Sequence, residues 1–136
     1  MVKLIMGLKG SGKTKNLIEL IRSAEKVEPG DIVCIEKGEK LRYDIPYKVR
    51  LVEASHHNFD GYDFLKGFIC GMYSANYDIT HIFIDSVLKI LSVEYDDRAD
   101  EFLQWCEDFA KRENVKFTIT FSVDVSLASE RSRQYF

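Results

Sequence analysis

The sequence predicts a three-layer α/β domain built on a mostly parallel sheet. Three observations support this. The chain opens strand–helix–strand: the apolar run Val2 to Met6, a helical pattern over 13–26, then the apolar run Ile32 to Ile35. Short runs that are apolar on both faces suit strands covered from both sides, as in parallel sheets. Two more such strands, Ile82 to Ile84 and Val115 to Phe121, alternate with amphipathic helical stretches.

Each element has its own signal. Leu17, Ile18, Ile21 and Ala24 recur at helical spacing, and Pro29-Gly30-Asp31 ends that helix. Val49, Leu51 and Val52 predict a short strand, with Pro46 marking a turn before it. From Asp60, the positions Phe64, Leu65, Phe68, Ile69, Met72 and Tyr73 are helical again. Gly67 and Gly71, one turn apart, predict close packing against a neighbouring backbone. Phe102, Leu103, Cys106, Phe109 and Ala110 define a helix over about 98–113. No linker divides the 136 residues, so a single domain spanning 1–136 is expected. The weak periodicity of about 123–136 leaves that stretch open to being a mobile tail.

Composition narrows the function classes. The chain is 46% hydrophobic and 30% charged, which excludes wholesale disorder. Its net charge of −3 argues against a bulk electrostatic nucleic-acid binder. No apolar run approaches the length of a membrane span. Cys34, Cys70 and Cys106 form no C-x-x-C and read as buried structural thiols, in keeping with a reducing cytoplasm.

The chemistry concentrates in Gly7-Leu8-Lys9-Gly10-Ser11-Gly12-Lys13-Thr14, a G-x-x-x-x-G-K-[ST] pattern between a strand and a helix. Gly7, Gly10 and Gly12 free the backbone for tight turns, so its N–H groups can form an anion nest. The helix N-terminus adds positive potential. Lys13 places a compact charge on the outer phosphates, and Thr14 offers a hydroxyl to Mg²⁺. A chance match in a chain this long is roughly a one-in-two-hundred event. Asp85 ends the apolar strand His81-Ile82-Phe83-Ile84 and is a second Mg²⁺ ligand candidate. ATP with Mg²⁺ is the expected ligand.

These two segments look like Walker A and Walker B motifs, and the chain resembles a P-loop NTPase. Over its whole length it also resembles short bacterial, clostridial-type ATP-binding proteins, some labelled twitching-motility ATPase. LKGSGKTKNLIELI, VCIEKGEKL and THIFIDSVLKI carry that likeness. The acidic and histidine boxes of a secretion motor have no match here.

The resemblance raises the question of hydrolysis. Ser86 stands where many P-loop ATPases carry a catalytic Glu. In RecA-like ATPases that Glu ends the strand after the first helix, which points to Glu36 here, or else Glu39. Arg131 and Arg133 are weaker candidates for reaching across an interface. The RecA-like strand order is preferred, with the last strand between the P-loop and Asp85 strands. Thr118 and Thr120 weigh against it, since a central strand should be apolar on both faces. The kinase-like order stays open. In the RecA-like order, Thr120 or Ser122 could sense the terminal phosphate. Tyr43, Tyr47 and Phe59 read as core residues first and base-stacking residues second. His56-His57 and Glu94-Tyr95-Asp96-Asp97 read as solvated loops. The expected function is an ATP-binding switch or assembly component with slow or partner-stimulated ATPase activity, through a protein partner or self-association. The alternatives are a small-molecule, nucleoside-type kinase and a nucleotide-stabilised interaction module.

Overall fold

A computed structural model describes residues 1–136. The elements run β1 (Val2–Met6), α1 (Lys13–Val27), β2 (Asp31–Glu36), β3 (Arg50–Glu53), α2 (Gly61–Ala75), β4 (Ile79–Ile84), α3 (Val87–Leu91), α4 (Asp97–Glu113), β5 (Lys116–Phe121) and α5 (Glu130–Arg133). The strands form one all-parallel sheet in the order β1-β5-β4-β2-β3. The last strand therefore lies between the strand feeding the Gly7–Thr14 loop and the strand ending at Asp85. That is the RecA-like order, and it excludes the kinase-like one.

Alternation along the strands builds two cores. Ile32, Cys34 and Phe83 face α1 and pack with Leu17, Ile21 and Ala24. Val33, Ile35, Ile82, Ile84, Phe117 and Ile119 face the other way, toward α2, α3 and α4, where Leu65, Ile69, Phe102 and Phe109 meet them. Fully burying a side chain of this size contributes about 1.5–3 kcal/mol.

Thr118 and Thr120 lie on β5 and are buried, and both are hydrogen-bonded. Thr118 Oγ1 is 2.9 Å from His81 Nε2, and Thr120 Oγ1 donates to Asp85 at 2.7 Å. The polar positions of this central strand thus face polar groups on β4 and directly after it. A buried polar group with a partner does not incur the penalty that argued against the arrangement.

Three expectations are corrected. Gly67 and Gly71 have open space where a Cβ would stand, and both lie on the exposed face of α2. Cys70, on the same face, is exposed, whereas Cys34 and Cys106 are buried. Tyr43 and Tyr47 are 88% and 93% exposed, so they are not core residues. Phe59 is buried against Phe64 and Phe68.

Residues 123–136 form a short 3-10 turn at Val125–Leu127 and then α5. Ser129 and Ser132 each donate to the buried Asp100 at 2.6 Å, and the Tyr135 carbonyl accepts from Leu4 N–H at 2.8 Å on the free edge of β1.

Candidate functional site

In an all-parallel sheet every strand ends at the same side. Gly7, Asp85 and Ser122 follow β1, β4 and β5, and Glu36 ends β2, so the topology gathers them at one edge. A cleft of about 520 Å³ lies there. Six lysines line it: Lys9, Lys13, Lys15, Lys37, Lys40 and Lys89. Thr14, Ser86 and the two carboxylates of Glu36 and Asp85 share the lining, and Leu41 is its one hydrophobic residue. None of the six lysines belongs to an ion pair. The cleft is thus strongly cationic within a chain of net charge −3.

The loop from Gly7 to Thr14 is shaped by its glycines. Gly10 and Gly12 have φ of 89° and 85°, in the left-handed region that costs a side-chain-bearing residue about 1 kcal/mol or more. Gly12 caps α1 without a side chain. The first amide of that turn to find a backbone acceptor is Asn16, on Gly12 at 3.0 Å. The N–H groups of Gly12, Lys13 and Thr14 have neither a backbone nor a side-chain acceptor in the protein, as expected of a helix's first turn.

Helices α1 and α4 start very differently. α4 has Asp96 as N-cap, accepting from Arg98 N–H, with Asp97 and Asp100 in its first turn and Lys111 and Arg112 in its last. That arrangement opposes the helix dipole at both ends. α1 has no acidic residue in its first turn, and Lys13 and Lys15 begin it. Cations at a helix N-terminus cost a few tenths of a kcal/mol or more each. An anion at this turn would reverse that cost.

Lys13 is 8% exposed. Burial lowers its pKa, Asp85 partly offsets that, and Lys89 lowers it further. Glu36 is 4% exposed, and its Oε2 accepts from Leu41 N–H at 2.9 Å. Burial raises its pKa, the Leu41 amide opposes the rise, and the negative charge of Asp85 adds to it. Asp85 is oriented by Thr120, and its own N–H donates to the Ile35 carbonyl at 2.8 Å. Ser86 is left-handed at φ 57°, and its N–H donates to Thr120 Oγ1 at 2.7 Å. Ser122 Oγ lies 3.4 Å from Ser86 Oγ.

On the other flank of the loop is a depression of about 490 Å³ that shares Gly12 and Lys13 with the cleft. Its lining is more apolar, with Ile5, Met6, Leu8 and Val125 beside Ser11, Asn16 and Asp124. Leu8 and Val125 are 55% and 45% exposed.

Several sequence candidates lie elsewhere. Glu39 is outside the cleft lining, and its Oε1 is 3.1 Å from His56 Nε2. Glu53, bonded to Arg42, lies 3.9 Å from the same His56 nitrogen. Arg133 donates to the carbonyls of Val125 and Ala128, and Arg131 is exposed on α5. Asp96 serves as a helix cap, and Asp124 accepts from Ser126 N–H. Lys15, Lys37, Lys40 and Lys89 were not legible as cleft residues in the sequence. Lys89 follows Asp85 by one helical turn, but α3 is only five residues long and gives too few positions for a periodic signal.

No protein-family model matches the chain, and no curated protein matches it. Among solved structures, the chain is similar to the flagellar accessory protein FlaH from Methanocaldococcus jannaschii, with a TM-score of 0.59 and 13% identity. The match covers 98% of this chain, which spans 65% of the length of that one. At that identity the likeness is one of fold.

Proposed function

We propose that this chain binds Mg·ATP at the Gly7–Thr14 loop, hydrolyses it slowly, and works as a nucleotide-dependent switch or assembly component. The observation that carries this reading is the start of α1. A left-handed glycine cap, free amides and two lysines stand where a stable helix would place acids. Such violations of local preference mark functional sites. A polyphosphate satisfies the amides and the lysines together.

Thr14 and Asp85 fit a hard cation. Both present oxygen, both line the cleft, and Asp85 is pre-oriented by Thr120. Mg²⁺ held there would neutralise charge on the outer phosphates. Lys13 would bind the same phosphates directly. Glu36, whose carboxyl is pushed up by burial, is suited to orienting and deprotonating a water. The nucleoside would then extend to the other flank, where Leu8 and Val125 offer apolar surface to a base. Ser86, in place of a Glu after Asp85, accords with slow turnover unless a partner or a second copy of the chain stimulates it. No helix is long and apolar enough to cross a membrane. With no disulfide among the three cysteines, a reducing cytoplasm suits the chain.

Calorimetric titration with ATP, with and without Mg²⁺, tests the binding, and phosphate release tests the turnover. Saturable binding that strengthens with Mg²⁺, with turnover below about 1 s⁻¹, is the expected result. Absence of binding at millimolar ATP overturns the reading.

A further inference from the structure

Helix α3 has five residues, and four of them, Val87, Leu88, Ile90 and Leu91, are buried. Lys89 is the exception. It is exposed and lines the cationic cleft with Lys13. Its direction is set by the backbone at Ser86. That residue is held at φ 57°, a conformation that side-chain-bearing residues rarely adopt. The hydrogen bond from Ser86 N–H to the fully buried Thr120 maintains it. Strain at this joint turns the chain from β4 into α3, sinks four apolar side chains into the core and leaves the lysine facing the cleft. Lys37 and Lys40 also face the cleft, but they lie on the segment between β2 and β3 that forms neither helix nor strand.

We propose that Lys89 is a second cation for the outermost phosphate, supplied within the same chain, and that it makes the site discriminate a nucleoside triphosphate from a diphosphate. The inference rests on the nucleotide-binding reading above. Lys13 rises from the first turn of α1, and Lys89 from the turn after Asp85, so the two reach the cleft from different elements. Both line the same cleft of about 520 Å³. Two like charges in one cleft, neither of them in an ion pair with the nearby Asp85, repel each other, and a shared anion relieves that repulsion. The loop amides and Lys13 are attached to α1 and serve whatever phosphate binds there. Lys89 stands on the Asp85 side, where only the outermost group of a longer phosphate chain arrives.

The test is calorimetric titration of the wild type, Lys89→Met and Lys89→Arg with ATP and with ADP, all in Mg²⁺. Methionine keeps the stem and removes the charge, and arginine restores it. The expected result is that Lys89→Met lowers ATP affinity about tenfold, the range of one charge-assisted contact at an exposed group. ADP affinity changes less than twofold, and Lys89→Arg recovers the ATP preference. Equal losses for both nucleotides would reduce Lys89 to a general contributor to the cleft's field and overturn the proposal. Unchanged ATP affinity in Lys89→Met overturns it as well. If the wild type binds neither nucleotide, the nucleotide-binding reading falls and this inference falls with it. Because Lys89 is exposed, thermal melting of the variants should match the wild type.

Discussion

Thr120 Oγ1 donates a hydrogen bond to Asp85 Oδ1 at 2.7 Å while accepting one from the N–H of Ser86, also at 2.7 Å. A single fully buried hydroxyl thus fixes the carboxylate and the joint that follows it. Thr120→Val keeps the shape and removes both bonds. It should destabilise the protein by about 1–3 kcal/mol, because buried groups lose their partners. Urea denaturation measures that. The same variant should also weaken the Mg²⁺ dependence of ATP binding. A variant that is destabilised but keeps its Mg²⁺ response would leave Thr120 a purely structural residue.

Asp85→Asn separates the metal role from the structural one. The amide keeps the size and can still accept from Thr120. It removes the charge a hard cation requires. ATP affinity measured in Mg²⁺ should fall, and affinity measured in chelator should change little. Equal effects in the two conditions would make Asp85 a structural residue.

Lys13→Ala should weaken ATP binding by about 1.5–3 kcal/mol, the loss of one contact between charged groups. Unequal affinities of wild type and variant are the outcome to look for in calorimetry, and equal ones would remove the loop from the binding site.

Much of this architecture was legible in the sequence. The strands were readable because their apolar runs are covered from both sides, and the loop because Gly7, Gly12, Lys13 and Thr14 are required by identity. Asp85 and Glu36 were readable from their positions at strand ends. What escaped was set by tertiary partners. Thr118 and Thr120 look wrong for a central strand until His81 and Asp85 are seen beside them. Tyr43 and Tyr47 count as hydrophobic in any pattern, yet stand in solvent. Lys89 and the left-handed Ser86 depend on a backbone conformation that no periodicity announces.

His81 makes stability sensitive to acid. It is half-buried on β4, stacked on Phe83 with ring centroids 4.1 Å apart, and its Nδ1 lies 3.4 Å from Glu28 Oε2. Burial pushes its pKa down to about 4, although Glu28 pulls the other way and Lys116 adds to the lowering. The unfolded chain therefore takes up a proton before the folded one does. Stability is full above the unfolded value near 6.5 and is lost as pH falls toward 4. The loss should reach at most about 3 kcal/mol. Glu28, whose own pKa is lowered, adds its loss only below the usual carboxylate range. Between pH 7 and 4.5 Glu36, whose pKa is raised by burial, contributes with the opposite sign, so the difference between wild type and His81→Asn in denaturant titrations reads the His81 part, and the variant should lack that acid loss.

Glu36 carries the opposite slope. Its carboxyl is pushed up chiefly by burial, so the folded protein holds that proton more tightly than the unfolded chain. Such a group contributes stability that is present below the unfolded pKa and lost as pH rises through the folded one. Once ionised, the buried Glu36 therefore costs stability. Glu36→Gln keeps an oxygen to accept from Leu41 N–H and removes the buried charge. The variant should be as stable as the wild type at pH 7 or more stable, by chemical denaturation. That cost accords with the chemistry proposed for Glu36, a part in hydrolysis. If that chemistry is deprotonation of water, the variant should bind ATP with unchanged affinity while phosphate release falls by about 10²–10⁴-fold, or to background. Unchanged hydrolysis would leave Glu36 a buried acid without a catalytic part and move the search for the base to Glu39 or to a partner chain. The stability and turnover measurements use one variant and answer separately, so a misfolded protein would not be mistaken for an inactive one.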